Sequence, residues 1–142
     1  MIRRSEHPLD LTEPFWAHGD LHGPDGVGFL LDSALVDGRL GRWSFLGGRP
    51  SALLTGRRRT GSREFHLELT TWRDPAGDRF HPPSARVWTG DPFVALRDLR
   101  EAYDPGCEPG RSPFTGGLVG YFGYETGYAL ERLPDTGEND LG

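Results

Sequence analysis

Three strings in this sequence bring together residue types able to do chemistry. Phe29-Leu30-Leu31-Asp32-Ser33-Ala34 closes an apolar run on an acid and a hydroxyl. A carboxylate accepts charge-assisted hydrogen bonds from an ammonium group, and a hydroxyl both donates and accepts. Asp32 and Ser33 could therefore hold the two charged ends of an amino acid. The same side chains also suit a plainer task, satisfying backbone groups of the following turn, and residue type alone leaves both open. His18-Gly19-Asp20-Leu21-His22 sets an acid between two imidazoles, which could orient a substrate hydroxyl or share a metal ion. The glycines and Pro24 favour a loop, and no bound metal is expected there. Arg57-Arg58-Arg59 offers guanidinium groups to a phosphate. Leu53-Leu54 before it and the turn-like Thr60-Gly61-Ser62 after it favour a solvated strand end instead.

Spacing defines the elements that must position these groups. Residues 1–25 are polar and rich in Gly and Pro, an irregular lead-in with Pro14-Phe15-Trp16 as its apolar cluster. Val27 to Ala34 suits a buried strand, and Asp37-Gly38 marks a turn after it. Arg42 to Leu46 and Ala52 to Gly56 are the next strands, separated by Gly47-Gly48-Arg49-Pro50. In Arg63 to Trp72, Phe65, Leu67 and Leu69 alternate with His66, Glu68 and Thr70, the period of a strand with one wet face. These segments form a β-meander. Asp91 to Tyr103 is a helix: Asp91 can cap it, Pro92 fits the first turn, and Phe93, Leu96, Leu99 and Tyr103 make an apolar stripe. Phe114 to Glu125 reads as a strand whose glycines permit close backbone approach. Tyr128 to Leu133 starts a second helix, stopped by Pro134, and 135–142 is polar without a closing element.

The chain has 142 residues, 35% of them hydrophobic, with 21 Gly and 12 Pro. That length suits one domain, and the composition favours many turns over long helices. The formal net charge of −5 argues against a nucleic-acid-binding surface, which needs a net basic face. Cys107 is the single cysteine, so no internal disulfide forms, and a reducing compartment fits. No apolar run has the length of a signal peptide or a membrane span. A cytoplasmic protein is expected.

Pro113-Phe114-Thr115-Gly116-Gly117-Leu118-Val119-Gly120-Tyr121-Phe122-Gly123-Tyr124-Glu125 says by itself only that an aromatic-studded strand packs closely. Read with Leu30-Leu31-Asp32-Ser33 and Gly41-Arg42-Trp43-Ser44-Phe45-Leu46-Gly47, it resembles the component I family of chorismate-utilising enzymes. The amino-terminal region of that family carries Leu-Leu-Glu/Asp-Ser, Gly-Arg-aromatic-Ser-Phe-Leu-Gly and Phe-x-Gly-Gly-x-Val-Gly-Tyr-x-Gly-Tyr in this order. The resemblance covers residues 26–134, leaving 1–25 as lead-in and 135–142 as a polar, truncated end. It implies an α+β fold, mostly antiparallel β-sheet with a few helices, as the amino-terminal part of a two-sheet chorismate enzyme. It also implies a tryptophan pocket lined by Leu31, Asp32 and Ser33. Arg42 and Trp43 on the next strand could close that pocket or simply pair in the sheet.

Asp32 stands where anthranilate synthases usually have Glu, and together with Trp43-Ser44-Phe45-Leu46-Gly47 it looks more like aminodeoxychorismate synthases. The first reading is therefore the non-catalytic region of aminodeoxychorismate synthase component I, in para-aminobenzoate and folate biosynthesis. The alternatives are the same region of anthranilate synthase component I and a stand-alone tryptophan-binding module. The resemblance places no catalytic residue and no cofactor in this chain. Magnesium and chorismate belong to a chorismate-binding domain beyond Gly142. The expected partners are that domain, a glutaminase subunit and tryptophan, with no nucleic acid and no membrane. His18-Gly19-Asp20-Leu21-His22 also resembles the catalytic loop of aminoglycoside-phosphotransferase-like kinases. No nucleotide-binding lobe precedes it, and the metal-holding Asn is Asp25 here.

Overall fold

A computed structural model describes residues 26–33, 43–75, 79–103, 114 and 116–134. The lead-in with His18 to His22, the Asp37-Gly38 turn, Arg42, Cys107 and the last eight residues lie outside the described part. Two antiparallel sheets and few helices make up the rest, an α+β fold.

The first sheet has two strands, β1 (Gly28–Leu31) and β2 (Phe45–Gly48). The second is a three-stranded meander of β3 (Ala52–Arg58), β4 (Phe65–Thr71) and β5 (Ser84–Gly90). β2 starts and ends two or three residues later than the sequence suggests, so Gly47 and Gly48 pair instead of breaking the sheet. Gly47 stands opposite Phe29, and a Cβ on it would lie 2.5 Å from Phe29 Cε1. The phenyl ring covers the glycine, and the missing side chain is what makes room for it.

β4 is central, and its alternation holds over its first four residues. Phe65 and Leu67 are buried while His66 and Glu68 are exposed. The registers Arg58↔Phe65↔Gly90 and Gly56↔Leu67↔Trp88 show what shares the inner face. The wet face carries Arg57, His66 and Thr89 in one row and Thr55, Glu68 and Val87 in the next.

Helix α1 (Pro92–Ala102) starts where the sequence places it. Asp91 Oδ1 accepts from the Phe93 amide at 2.7 Å and the Val94 amide at 3.3 Å, satisfying two of the donors a helix start leaves free. Asp91→Ala is expected to destabilise the fold by about 1 kcal/mol, the usual scale of a lost N-cap. A urea midpoint shift with unchanged slope would register it, and wild-type stability would show the cap to be idle. Leu99 is the buried residue of this helix, and with Phe65 and Leu67 it makes the core of the described residues.

At its end, Tyr103 donates from its hydroxyl to the Arg73 carbonyl at 2.6 Å. Burial raises the Tyr103 pKa above its ordinary value, the Asp74 carboxylate adds to this, and Arg73 opposes it. The phenolate is thus disfavoured in the fold relative to the unfolded chain. The stability this confers is whole below the unfolded tyrosine value and is lost as pH climbs through the folded one. Ultraviolet titration of the wild type should show a late-ionising component that Tyr103→Phe loses. A Tyr103→Phe curve retaining that late component would refute the assignment.

Two expectations fail beyond the helix. Gly116 to Gly123 forms no ladder with any described strand, so the expected strand over Phe114 to Glu125 is absent there. Among the described residues, a Cβ at Gly116, Gly120 or Gly123 would meet nothing within 4 Å, so close backbone approach does not explain these glycines. Gly116 and Gly117 instead adopt φ of 140° and 136°, a region that side chains disfavour. The second helix arrives four residues early, as a 3-10 helix over Tyr124–Ala129. The third correction concerns the arginine run: Arg57 and Arg59 are exposed, but the Arg58 side chain is only 5% exposed. Strand alternation turns it to the inner face.

Candidate ligand-binding site

β1 and β2 pair as Phe29↔Gly47, Leu30↔Leu46 and Leu31↔Phe45. Continued past Leu31, this register sets Asp32 against Ser44 and Ser33 against Trp43. The first of these is realised as a hydrogen bond, Ser44 Oγ donating to Asp32 Oδ1 at 2.6 Å. Four of the five residues singled out from the sequence, Leu31, Asp32, Ser33 and Trp43, therefore meet at one end of the two-stranded sheet. Arg42, the fifth, lies outside the described residues.

Alternation sorts these residues by face. Asp32 and Ser44 continue the row of Leu30 and Leu46, and Leu31 lies with Phe45 on the other side. Leu31 is 52% and Trp43 45% exposed, and alternation puts Ser33 on the same face as both. The Phe45 ring meets Phe114 edge-on, with centroids 5.7 Å apart. This contact ties the first residue of the glycine-rich segment to the sheet that carries Asp32 and Ser33.

Ser44 is the residue that sequence reasoning passed over. It looked like one letter of a family string, and only the strand register reveals it as the partner of Asp32. The bond has a chemical consequence: one carboxylate oxygen of Asp32 already accepts from a hydroxyl, which fixes the rotamer and leaves the other oxygen for an incoming donor.

No helix among the described residues is long and apolar enough to cross a membrane.

Two antiparallel sheets, a capped helix and an exposed sheet end define an α+β segment. Comparison with known proteins adds its relatives. The chain is 36% identical over 126 residues to anthranilate synthase component 1 of Streptomyces coelicolor, covering 88% of this chain and 18% of that protein. The corresponding enzyme of Mycolicibacterium smegmatis is 36% identical over 94% of this chain and 22% of its own length. That of Thermus thermophilus is 35% identical over 94% of this chain and 24% of its own. No family model and no solved structure matches. By that identity the chain is a homologue of part of the anthranilate synthase component 1 enzymes. It spans about a fifth of the length of these curated relatives. All three bear the anthranilate name, which favours the anthranilate alternative over the aminodeoxychorismate reading that the motifs put first, and gives its folate and para-aminobenzoate setting no support.

Proposed function

We propose that this chain is the non-catalytic, tryptophan-binding region of an anthranilate-forming component I synthase. The observation that carries the pocket is the Asp32–Ser44 hydrogen bond, because it continues the β1–β2 register and gathers Leu31, Asp32, Ser33 and Trp43 at one sheet end. In this reading the indole lies against Leu31 and Trp43 on the face that also carries Ser33, whose hydroxyl hydrogen-bonds the amino-acid carboxylate, and the ammonium group reaches round the open sheet end to the free Asp32 oxygen on the other face. In the rest of the enzyme, ammonia from a glutaminase partner would add to the chorismate ring as the ring hydroxyl leaves as water, and the enolpyruvyl group would then depart as pyruvate to leave anthranilate, with magnesium held there to assist. An apolar strip that includes Tyr121, 93% exposed, Phe122 and Leu118 is suited to packing against that catalytic part.

Isothermal titration of the chain with L-tryptophan should show saturable binding, weakened about tenfold in Ser33→Ala, the scale of one hydrogen bond to a charged group. Equal affinity in both proteins, or no heat at all, removes the pocket. Product analysis of the complete gene's enzyme with chorismate, magnesium and ammonium should give anthranilate. Aminodeoxychorismate as product would restore the other reading.

A further inference from the structure

A second cluster of polar groups lies far along the chain from Asp32 and Ser33, where β4 ends. The amides of Trp72 and Arg73 both donate to the single carbonyl of Ser51, at 2.9 and 3.2 Å. Two residues opposite one is the count of a β-bulge, which breaks strand alternation and re-aims side chains. The returning chain is fastened at the same point, the His81 amide donating to the Trp72 carbonyl at 2.8 Å. Tyr103 braces it from the helix end through the Arg73 carbonyl.

The side chains of this knot are incompletely satisfied. Among the described residues, Trp72 Nε1, Arg73 Nε and His81 Nε2 are buried nitrogens without a hydrogen-bond partner. Unsatisfied buried polar atoms are few in native folds, and each calls for an explanation. Three within ten residues, on segments joined by a backbone hydrogen bond just beyond β4, point to a common one. Their roles are also defined. The indole and guanidinium nitrogens can only donate. His81 Nδ1 sits 2.6 Å from the Pro82 carbonyl oxygen, which can only accept, so Nδ1 carries a proton and in that neutral tautomer Nε2 is the nitrogen left with a lone pair. Arg73 contributes a positive charge, with its guanidinium 5.8 Å from the Phe80 ring centroid. The His81 side chain is 31% exposed, so solvent reaches the edge of the knot although Nε2 itself is buried.

We propose that this bulge is a binding site for a small oxyanion that also carries a hydroxyl, as hydrogen phosphate does. Its oxygens accept from Trp72 Nε1 and Arg73 Nε, and its hydroxyl donates to His81 Nε2. Asp74 is the one opposing group: its Oδ1 lies 3.8 Å from His81 Nε2, but its side chain is 80% exposed and free to turn into solvent.

The test is a titration of the isotopically labelled chain at neutral pH with inorganic phosphate, sulfate and glycolate, following side-chain N–H resonances by NMR. Phosphate should shift the Trp72 indole and Arg73 Nε–H signals together and saturably in the millimolar range. Sulfate, which lacks the hydroxyl, should bind several-fold more weakly. Glycolate binding tighter than phosphate would assign the occupant as a hydroxycarboxylate, within the same proposal. Trp72→Phe and Arg73→Met should each weaken binding about tenfold, and Asp74→Asn should tighten it about threefold by removing a nearby like charge. If no anion moves the wild-type signals, or sulfate and phosphate bind alike, the proposal is wrong. The wild-type readings decide it even where a variant fails to fold.

Discussion

Leu67→Ala is expected to cost about 2–5 kcal/mol of unfolding free energy, the range for emptying a buried leucine site. Leu67 is 1% exposed on the central strand and is flanked across the sheet by Gly56 and Trp88. The glycine has no side chain with which to close the cavity, and a Cβ placed on it would lie 2.9 Å from Leu67 Cδ2, so the leucine now fills that space. A small domain has about 5–15 kcal/mol of stability in all. With Phe65 and Leu99 the only other buried hydrophobic residues described, this chain can spare little of it. The variant should melt at or near room temperature, with a collapsed urea midpoint. The inverse change, Gly56→Val, should destabilise through overpacking at the same contact. A Leu67→Ala protein within 1 kcal/mol of wild type would mean that this face is not the core.

What could be read in advance follows from how each element is stabilised. β4 and α1 announce themselves because their burial is one-sided: Phe65, Leu67 and Leu69 alternate with polar residues, and Asp91-Pro92 spells a helix start. β5 escaped notice because its alternation is inverted. Val87, the apolar member, faces solvent at 67% exposure, while the inner face carries Arg86 and Trp88, with the guanidinium 5.2 Å from the indole ring centroid. The glycine-rich segment misled in the opposite sense. Its apolar residues look like a strand, but a ladder needs a partner, and sequence cannot say that Gly116 and Gly117 serve backbone dihedrals instead. At the candidate site, Asp32 and Ser33 were visible as chemistry, whereas Ser44 depended on a register that no local pattern encodes. The same is true of the bulge at Trp72, where two amides share one carbonyl.

Arg58→Ala is the second large effect, expected at about 2–3 kcal/mol. The side chain runs inward from the end of β3 and meets three groups. Its guanidinium carbon lies 3.9 Å from the Tyr128 ring centroid, Nη1 donates to the Ser62 carbonyl at 3.2 Å, and Nη2 pairs with Glu125 Oε1 at 3.3 Å. A desolvated cation–π contact contributes about 2 kcal/mol and a hydrogen bond from a charged donor about 1.5 kcal/mol. Glu125 is 52% exposed, so the ion pair adds only a few tenths after solvent screening. These contributions overlap, and the sum is therefore an upper bound. Neighbouring Arg63 reinforces the joint from Nε to the Tyr128 carbonyl at 3.1 Å, so the β3–β4 turn grips the 3-10 helix from two sides. Arg58→Met should recover part of the loss by restoring the packed stem, and high salt should leave most of the wild-type contribution intact. Hydrogen exchange separates this joint from the core: the Thr126, Leu130 and Glu131 amides, bonded within the 3-10 segment, should lose protection well before those of β4. Uniform loss of protection across both would mean that Arg58 supports the whole sheet. Selective loss would mark the arginine as the clamp that holds the 3-10 segment and the aromatic residues before it in place.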